Sequence, residues 1–144
     1  MLESRVPLEI EVGKKLDQWF GWKAVSTHEL STIVRNGVSP DIMNKLLSHG
    51  FSKEELKWVI NPRTLRHRLQ NNELLTLDEA AKAVRVARLT AQAEVIFSNS
   101  EKAERWLSKP KKNLNGQTPK EAMKDEFGAT LVEQMLRKID GGFY

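Results

Sequence analysis

The chain has 144 residues, 40% of them hydrophobic, and 23 lysines and arginines against 19 acids give a formal net charge of +4. The sequence pI of about 9.4 leans towards an anionic partner. There is no cysteine, which excludes disulfides, thiolate nucleophiles and cysteine-ligated zinc; no apolar run approaches the roughly 20 residues of a membrane span, and the first residues, Met1 to Pro7, do not read as a signal peptide, so a soluble, cytoplasmic protein is expected.

The charge is unevenly spread. Residues 1–60 carry eight basic and eight acidic side chains, residues 61–100 six and four, and residues 101–144 nine and seven, so the whole excess lies beyond residue 60. Near the start, Leu8, Ile10 and Val12 alternate with polar residues, which predicts a short strand or an extended arm. Trp19, Phe20 and Trp22 follow. Aromatic side chains so close together rarely stay exposed, and they dock either on the chain's own core or on a second copy. They are the candidate dimerisation residues, and residues 1–38 form an N-terminal arm and first helix.

From there helix starts recur. Ser26 with Glu29, Ser52 with Glu55, Thr76 with Glu79, and Thr118-Pro119 with Glu121 each combine a capping side chain with a first-turn glutamate. Ser39-Pro40 and Asn61-Pro62 add a cap followed by proline, and glycines at 37, 50, 116 and 128 punctuate the ends. The pattern predicts helices near 27–36, 40–49, 53–60, 62–71, 77–97, 100–108, 119–127 and 129–140. The fold class is all-α.

Residues 61–72 are the most telling stretch, with three arginines, one histidine and no acid. Leu65 and Leu69 share one helix face; at about 100° per residue Arg63, His67 and Gln70 fall opposite, flanked by Thr64 and Arg66. A short helix with an apolar back and a basic, amide-bearing front suits the major groove of DNA. Helix 53–60 offers Leu56, Val59 and Ile60 to a core, and a break of two or three residues before the basic helix matches a helix-turn-helix within a domain of residues 39–92. In that geometry amides near Ser52 and Lys53 can receive a phosphate. Arg63 is the best candidate for a bidentate guanine contact, Thr64 and His67 for bases or phosphates, and Arg66 for a phosphate; Arg68 projects towards the leucine face, where an internal ion pair competes with DNA.

In segment 77–97 a stripe of Leu77, Ala81, Val84, Ala87, Ala91 and Val95 lets another helix approach closely, so this element joins two halves of the molecule. Its polar side carries Lys82, Arg85 and Arg88, either a solvated face or a set of phosphate contacts. Lysines 109, 111 and 112 lie in a polar loop that reads as a turn between helices. Beyond it, Phe97, Ala103, Trp106 and Leu107 supply a core, and Val132, Leu136 and Ile139 line one face of the last helix. The chain ends Asp140-Gly141-Gly142-Phe143-Tyr144, an aromatic pair on a glycine joint, suited either to a partner or to the chain's own core. Scattered histidines, the missing cysteine, and the lack of a phosphate-binding glycine loop or clustered carboxylates argue against an enzyme; no cofactor, metal or small-molecule substrate is expected.

The run Phe97, Ala103, Trp106-Leu107, Pro110, Leu114, Gly116, Thr118-Pro119, Gly128, Val132, Leu136, Ile139 and Gly142 resembles the C-terminal toxin-binding domain of Xre/MbcA/ParS-type antitoxins. Pro62-Arg63-Thr64-Leu65 and Arg68 are similar to the recognition-helix segment of the same proteins, and together the match spans about residues 40–144. The resemblance implies an antitoxin with an Xre-like helix-turn-helix domain joined by a long helix to a small helical toxin-binding domain, residues 93–144. The implied partners are a RES-domain toxin that degrades NAD, operator double-stranded DNA, and a second copy of the chain. It further implies that Lys138, Asp140, Gly141, Gly142, Phe143 and Tyr144 reach the toxin's active-site entrance, with Trp106 and Arg137 in the same candidate surface. The chain departs from the family at Asn115 and Met123, where glycine and leucine are common, and at His67 within the usual arginine cluster; residues 1–39 resemble it less. A free-standing helix-turn-helix regulator, whose C-terminal module only dimerises, is the competing reading.

Overall fold

The capping signals are built largely as the sequence predicts. In the computed structural model, which describes residues 6–23 and 26–142, Ser26, Thr76 and Thr118 each close a reciprocal capping box at a helix start. The helices are α1 (Leu8–Phe20), α2 (Thr27–Asn36), α3 (Asp41–Ser48), α4 (Pro62–Gln70), α5 (Leu77–Phe97), α6 (Ser100–Leu107), α7 (Pro119–Ala122) and α8 (Glu126–Asp140), with a 3₁₀ turn at Lys112–Leu114. The described residues contain no strand, and the fold is all-α.

Three expectations are corrected. The alternation at Leu8, Ile10 and Val12 marks no strand. Leu8, Val12 and Leu16 are four apart and form the inner face of α1, which buries Val12, Gly13 and Leu16 while Ile10 is exposed. Residues 53–60 are a chain of turns rather than a regular helix. Ser52 and Glu55 do cap one another, but the backbone bonds mix three- and four-residue spacings: Lys57 N–H donates to the Glu54 carbonyl, and Val59 and Ile60 both donate to that of Leu56. That tightening still buries Leu56, Val59 and Ile60 together. The segment expected at 119–127 stops at Ala122, because the Asp125 side chain accepts from the Gly128 amide at 2.8 Å and starts α8. Gly128 thus lies inside a helix rather than at its end.

Helix α5 is the axis. It packs against α1, α2, α3, α6 and α8 and is buried nearly all round between Ala83 and Glu94. The small residues allow this close approach, but the predicted stripe is displaced at its beginning: Leu77 and Ala81 face solvent, and Ala80 and Ala83 are buried instead. One continuous hydrophobic cluster runs from Val12 to Leu136, so the N- and C-terminal halves share a core through α5.

Candidate functional site

Helix α4 stands at the molecule's surface with none of its side chains fully buried. Its start is fixed by Asn61, whose side chain accepts from the Arg63 amide at 2.8 Å, and by Pro62 in the first turn. Leu65 packs on the core. Arg63 and Arg66 are exposed, and neither forms an ion pair among the described residues; Thr64, between them, is half-buried. Arg68 takes the internal alternative, donating from Nε and Nη2 to the two carboxylate oxygens of Glu79 at 2.9 and 3.1 Å. Burial opposes ionisation of Glu79, but the bonds from Arg68 and the Thr76 amide outweigh it and hold the carboxyl below its ordinary range. The acids absent from 61–72 are therefore supplied from beyond it. His67 Nε2 also lies 3.3 Å from Glu73 Oε1. The Ser52 amide already donates to Glu55 Oε1 at 3.0 Å, which puts a carboxylate where a phosphate was expected; Lys53 beside it is exposed.

The cations on the polar side of α5 are half-buried and engaged within the chain. Arg85 donates to the Met123 and Lys124 carbonyls at 3.1 and 3.2 Å and lies over the Trp58 ring, while Arg88 pairs with Glu133 and Lys82 with Asp78. A second tie runs through Lys120, a buried lysine that composition alone did not single out. Its ammonium donates to the Gly50 carbonyl at 2.6 Å, to both oxygens of Glu55 at 3.2 Å and to Glu104 at 3.3 Å, and it faces the Phe51 ring. This side chain joins the turns before α4 to α6 and α7.

In the C-terminal module Trp106 is half-buried, tilted against Phe97 with ring centroids 5.8 Å apart, and the Lys111 ammonium lies over its ring, 4.8 Å from the centroid. Burial and, to a smaller extent, Lys109 lower the Lys111 pKa. Asn115 adopts φ 55°, ψ 36°, the left-handed conformation that asparagine tolerates better than most residues with a side chain; this accounts for its standing where glycine is common. Arg137 links α8 to α1, donating to Glu9 at 2.9 Å and to Glu133 at 3.2 and 3.3 Å. Lys138, Gly141 and Gly142 are exposed at the end of α8, and Asp140 is half-buried. Phe143 and Tyr144 lie outside the described residues.

Phe127 and Leu131 were missed. They are 85% and 46% exposed on the outer face of α8, opposite the buried Ala129, Val132 and Leu136. Starting the helix at 129 left Phe127 off it; the signal that could have found it was Asp125 as a cap, after which Phe127 falls away from the apolar stripe. Gly128 beside it is held by space rather than by its backbone angles: an added Cβ would sit 1.8 Å from the Ala122 carbonyl oxygen.

Trp19, Phe20 and Trp22 dock on the chain's own core. Trp19 lies against the His49 ring, with centroids 4.2 Å apart, and Phe20 stacks on Trp22 at 4.4 Å. All three stay half-buried around an open cleft that Ile42 and Lys45 of α3 also line.

Residues 92–142 match the model of the Antitoxin Xre/MbcA/ParS C-terminal toxin-binding domain. An antitoxin Xre of Pseudomonas putida is 37% identical over 119 residues, covering 82% of this chain and 75% of the relative. An antitoxin Xre of Photorhabdus laumondii is 25% identical over 126 residues, 85% of each chain.

Proposed function

The chain belongs to the Xre/MbcA/ParS antitoxin family, and from that premise we propose that it neutralises a RES-domain, NAD-degrading toxin and represses its own operon. That it is an antitoxin with a C-terminal toxin-binding domain follows from the family itself. The RES class of the toxin, the operator and the roles of single residues are proposed.

The observation that carries the toxin half is the match over residues 92–142, which ends on the exposed end of α8. From there Lys138, Gly141 and Gly142 lead to Phe143 and Tyr144, and two aromatic rings after a glycine joint suit an occupied cleft. Arg137 supports this end by fixing it to Glu9 and Glu133; Trp106 supports it from within the module. The DNA half is supported by Arg63 and Arg66, exposed cations without an ion pair among the described residues, on the leading turns of a capped helix. Thr64, His67 and Lys53 complete that front. Arg68 positions the helix through Glu79 instead of reaching DNA, and the Ser52 hydroxyl, while accepting from the Glu55 amide, keeps its own proton to donate to a phosphate. The functional division is residues 1–38 for self-association through the edges that Trp19, Phe20 and Trp22 leave exposed at their cleft, 39–92 for the operator, and 93–144 for the toxin. One helix of this size binds DNA weakly, which is why a dimer on paired half-sites belongs to the reading.

Co-expression tests the toxin half. A chain ending at Gly142 should fold as the full chain does yet fail to rescue growth when the RES-domain toxin is expressed. Full protection by the shortened chain would remove Phe143 and Tyr144 from the mechanism.

A further inference from the structure

We propose that the outer face of α8, centred on Phe127 and Leu131, is a further part of the toxin-docking surface, beyond the chain end and joined to it through Lys138. Phe127 is 85% exposed and Leu131 46% exposed, and they are one helical turn apart. Gln134 and Lys138 continue the same face, both exposed, so an apolar start leads through an amide to a cation. From Phe127 to Lys138 the face is about 16 Å long at 1.5 Å per residue. The fit is a toxin surface with an apolar pocket and an acidic margin.

The Phe127 ring is held out by construction. The Asp125 side chain accepts from the Gly128 amide, Gly128 lies against the Ala122 carbonyl with no room for a side chain, and the inner face of α8 is filled by Ala129, Val132 and Leu136. A large aromatic with only two side-chain torsions, on a backbone set before its partner arrives, loses little freedom on binding, which is the property of an interface anchor. The toxin is the occupant because the face lies wholly within the toxin-binding domain of residues 92–142 and runs without a break into the chain end assigned to the toxin. The inference rests on that assignment.

The test measures binding of the full chain to immobilised RES-domain toxin by interferometry, with Phe127→Ser, Leu131→Ser and the chain ending at Gly142 alongside. Both substituted side chains are exposed, so the thermal midpoint should not move. Phe127→Ser should weaken binding about 30-fold or more, the level of an interface hot spot, and Leu131→Ser by less. Unchanged affinity in Phe127→Ser, with the shortened chain impaired, would overturn this surface and leave the antitoxin reading standing. If Phe127→Ser instead abolishes self-association in light scattering and leaves toxin binding intact, the face belongs to a second copy and the proposal is wrong. No binding by the unaltered chain would overturn the RES assignment and this inference with it.

Discussion

Helices α4 and α8 are both amphipathic and capped, yet they rest on different supports. Helix α4 buries no side chain fully and is oriented largely by polar groups: the Asn61 cap and the paired oxygens of Glu79 around Arg68. Helix α8 buries Ala129, Val132 and Leu136 and presses Gly128 onto the backbone of α7. The difference teaches that a surface can be presented either on an element steered by ion pairs or on one locked by packing. Helix α8 carries ion pairs too, Arg88 with Glu133 and Arg137 with Glu9, but its packed inner face holds its orientation when they are lost, and α4 has no fully buried side chain to do the same.

The largest expected effect breaks the packed side. Gly128→Ala places a methyl 1.8 Å from the Ala122 carbonyl oxygen, an obstacle of backbone that cannot move aside without shifting α7. We expect a loss of about 3 kcal/mol or more in urea unfolding. A loss below about 0.5 kcal/mol would show that α7 yields freely.

Lys120→Met comes next and concerns the join between the two sides. Methionine keeps the buried volume but leaves the Gly50 carbonyl, Glu55 and Glu104 without their ammonium. The two carboxylates are 39% and 38% exposed and can rehydrate, so the loss should stop near about 2 kcal/mol, the value of a few hydrogen bonds to charge. The same unfolding experiment checks it.

The smallest effects separate two arginines of one helix. Arg68→Ala should cost about 1–2 kcal/mol of stability, because Glu79 is left half-buried without its fork. Arg63→Ala should leave stability within about 0.5 kcal/mol and instead weaken operator binding by about 1–3 kcal/mol, read by titration of labelled duplex. An equal loss on unrelated duplex would make Arg63 a phosphate contact. The Arg68–Glu79 pair also gives a pH signature. Despite its burial, Glu79 titrates lower in the folded chain than its ordinary value, through Arg68 and the Thr76 amide. Its contribution is therefore complete above the unfolded pKa of about 4.3 and is lost as pH falls through the lower folded value. Arg68→Ala should flatten that acid limb of the stability profile.

What was legible in the chain follows the same divide. Local signals carried far: Asn61-Pro62 and the capping glutamates marked the starts of α2, α4, α5 and α7, because a cap is decided within four residues. The helical face of Leu8, Val12 and Leu16 was obscured by a shorter-range alternation through Ile10, and only α5 as a partner decides between them. The leading face of α4 was legible from its own spacing. The destination of Arg68 was not, since Glu79 lies across a turn and in another helix. Lys120 was invisible for a related reason, since it is tied to residues 65 and 70 positions away; Phe127 was missed although the Asp125 cap that places it on α8 is a local signal.

The central claim is that this chain silences an NAD-degrading enzyme by binding it. Titrating the full chain into a fixed amount of RES-domain toxin, while following NAD by absorbance, measures this directly. The rate should fall steadily and reach zero once the chain saturates the toxin at a fixed, small molar ratio. Undiminished NAD loss with the chain in many-fold excess would contradict it.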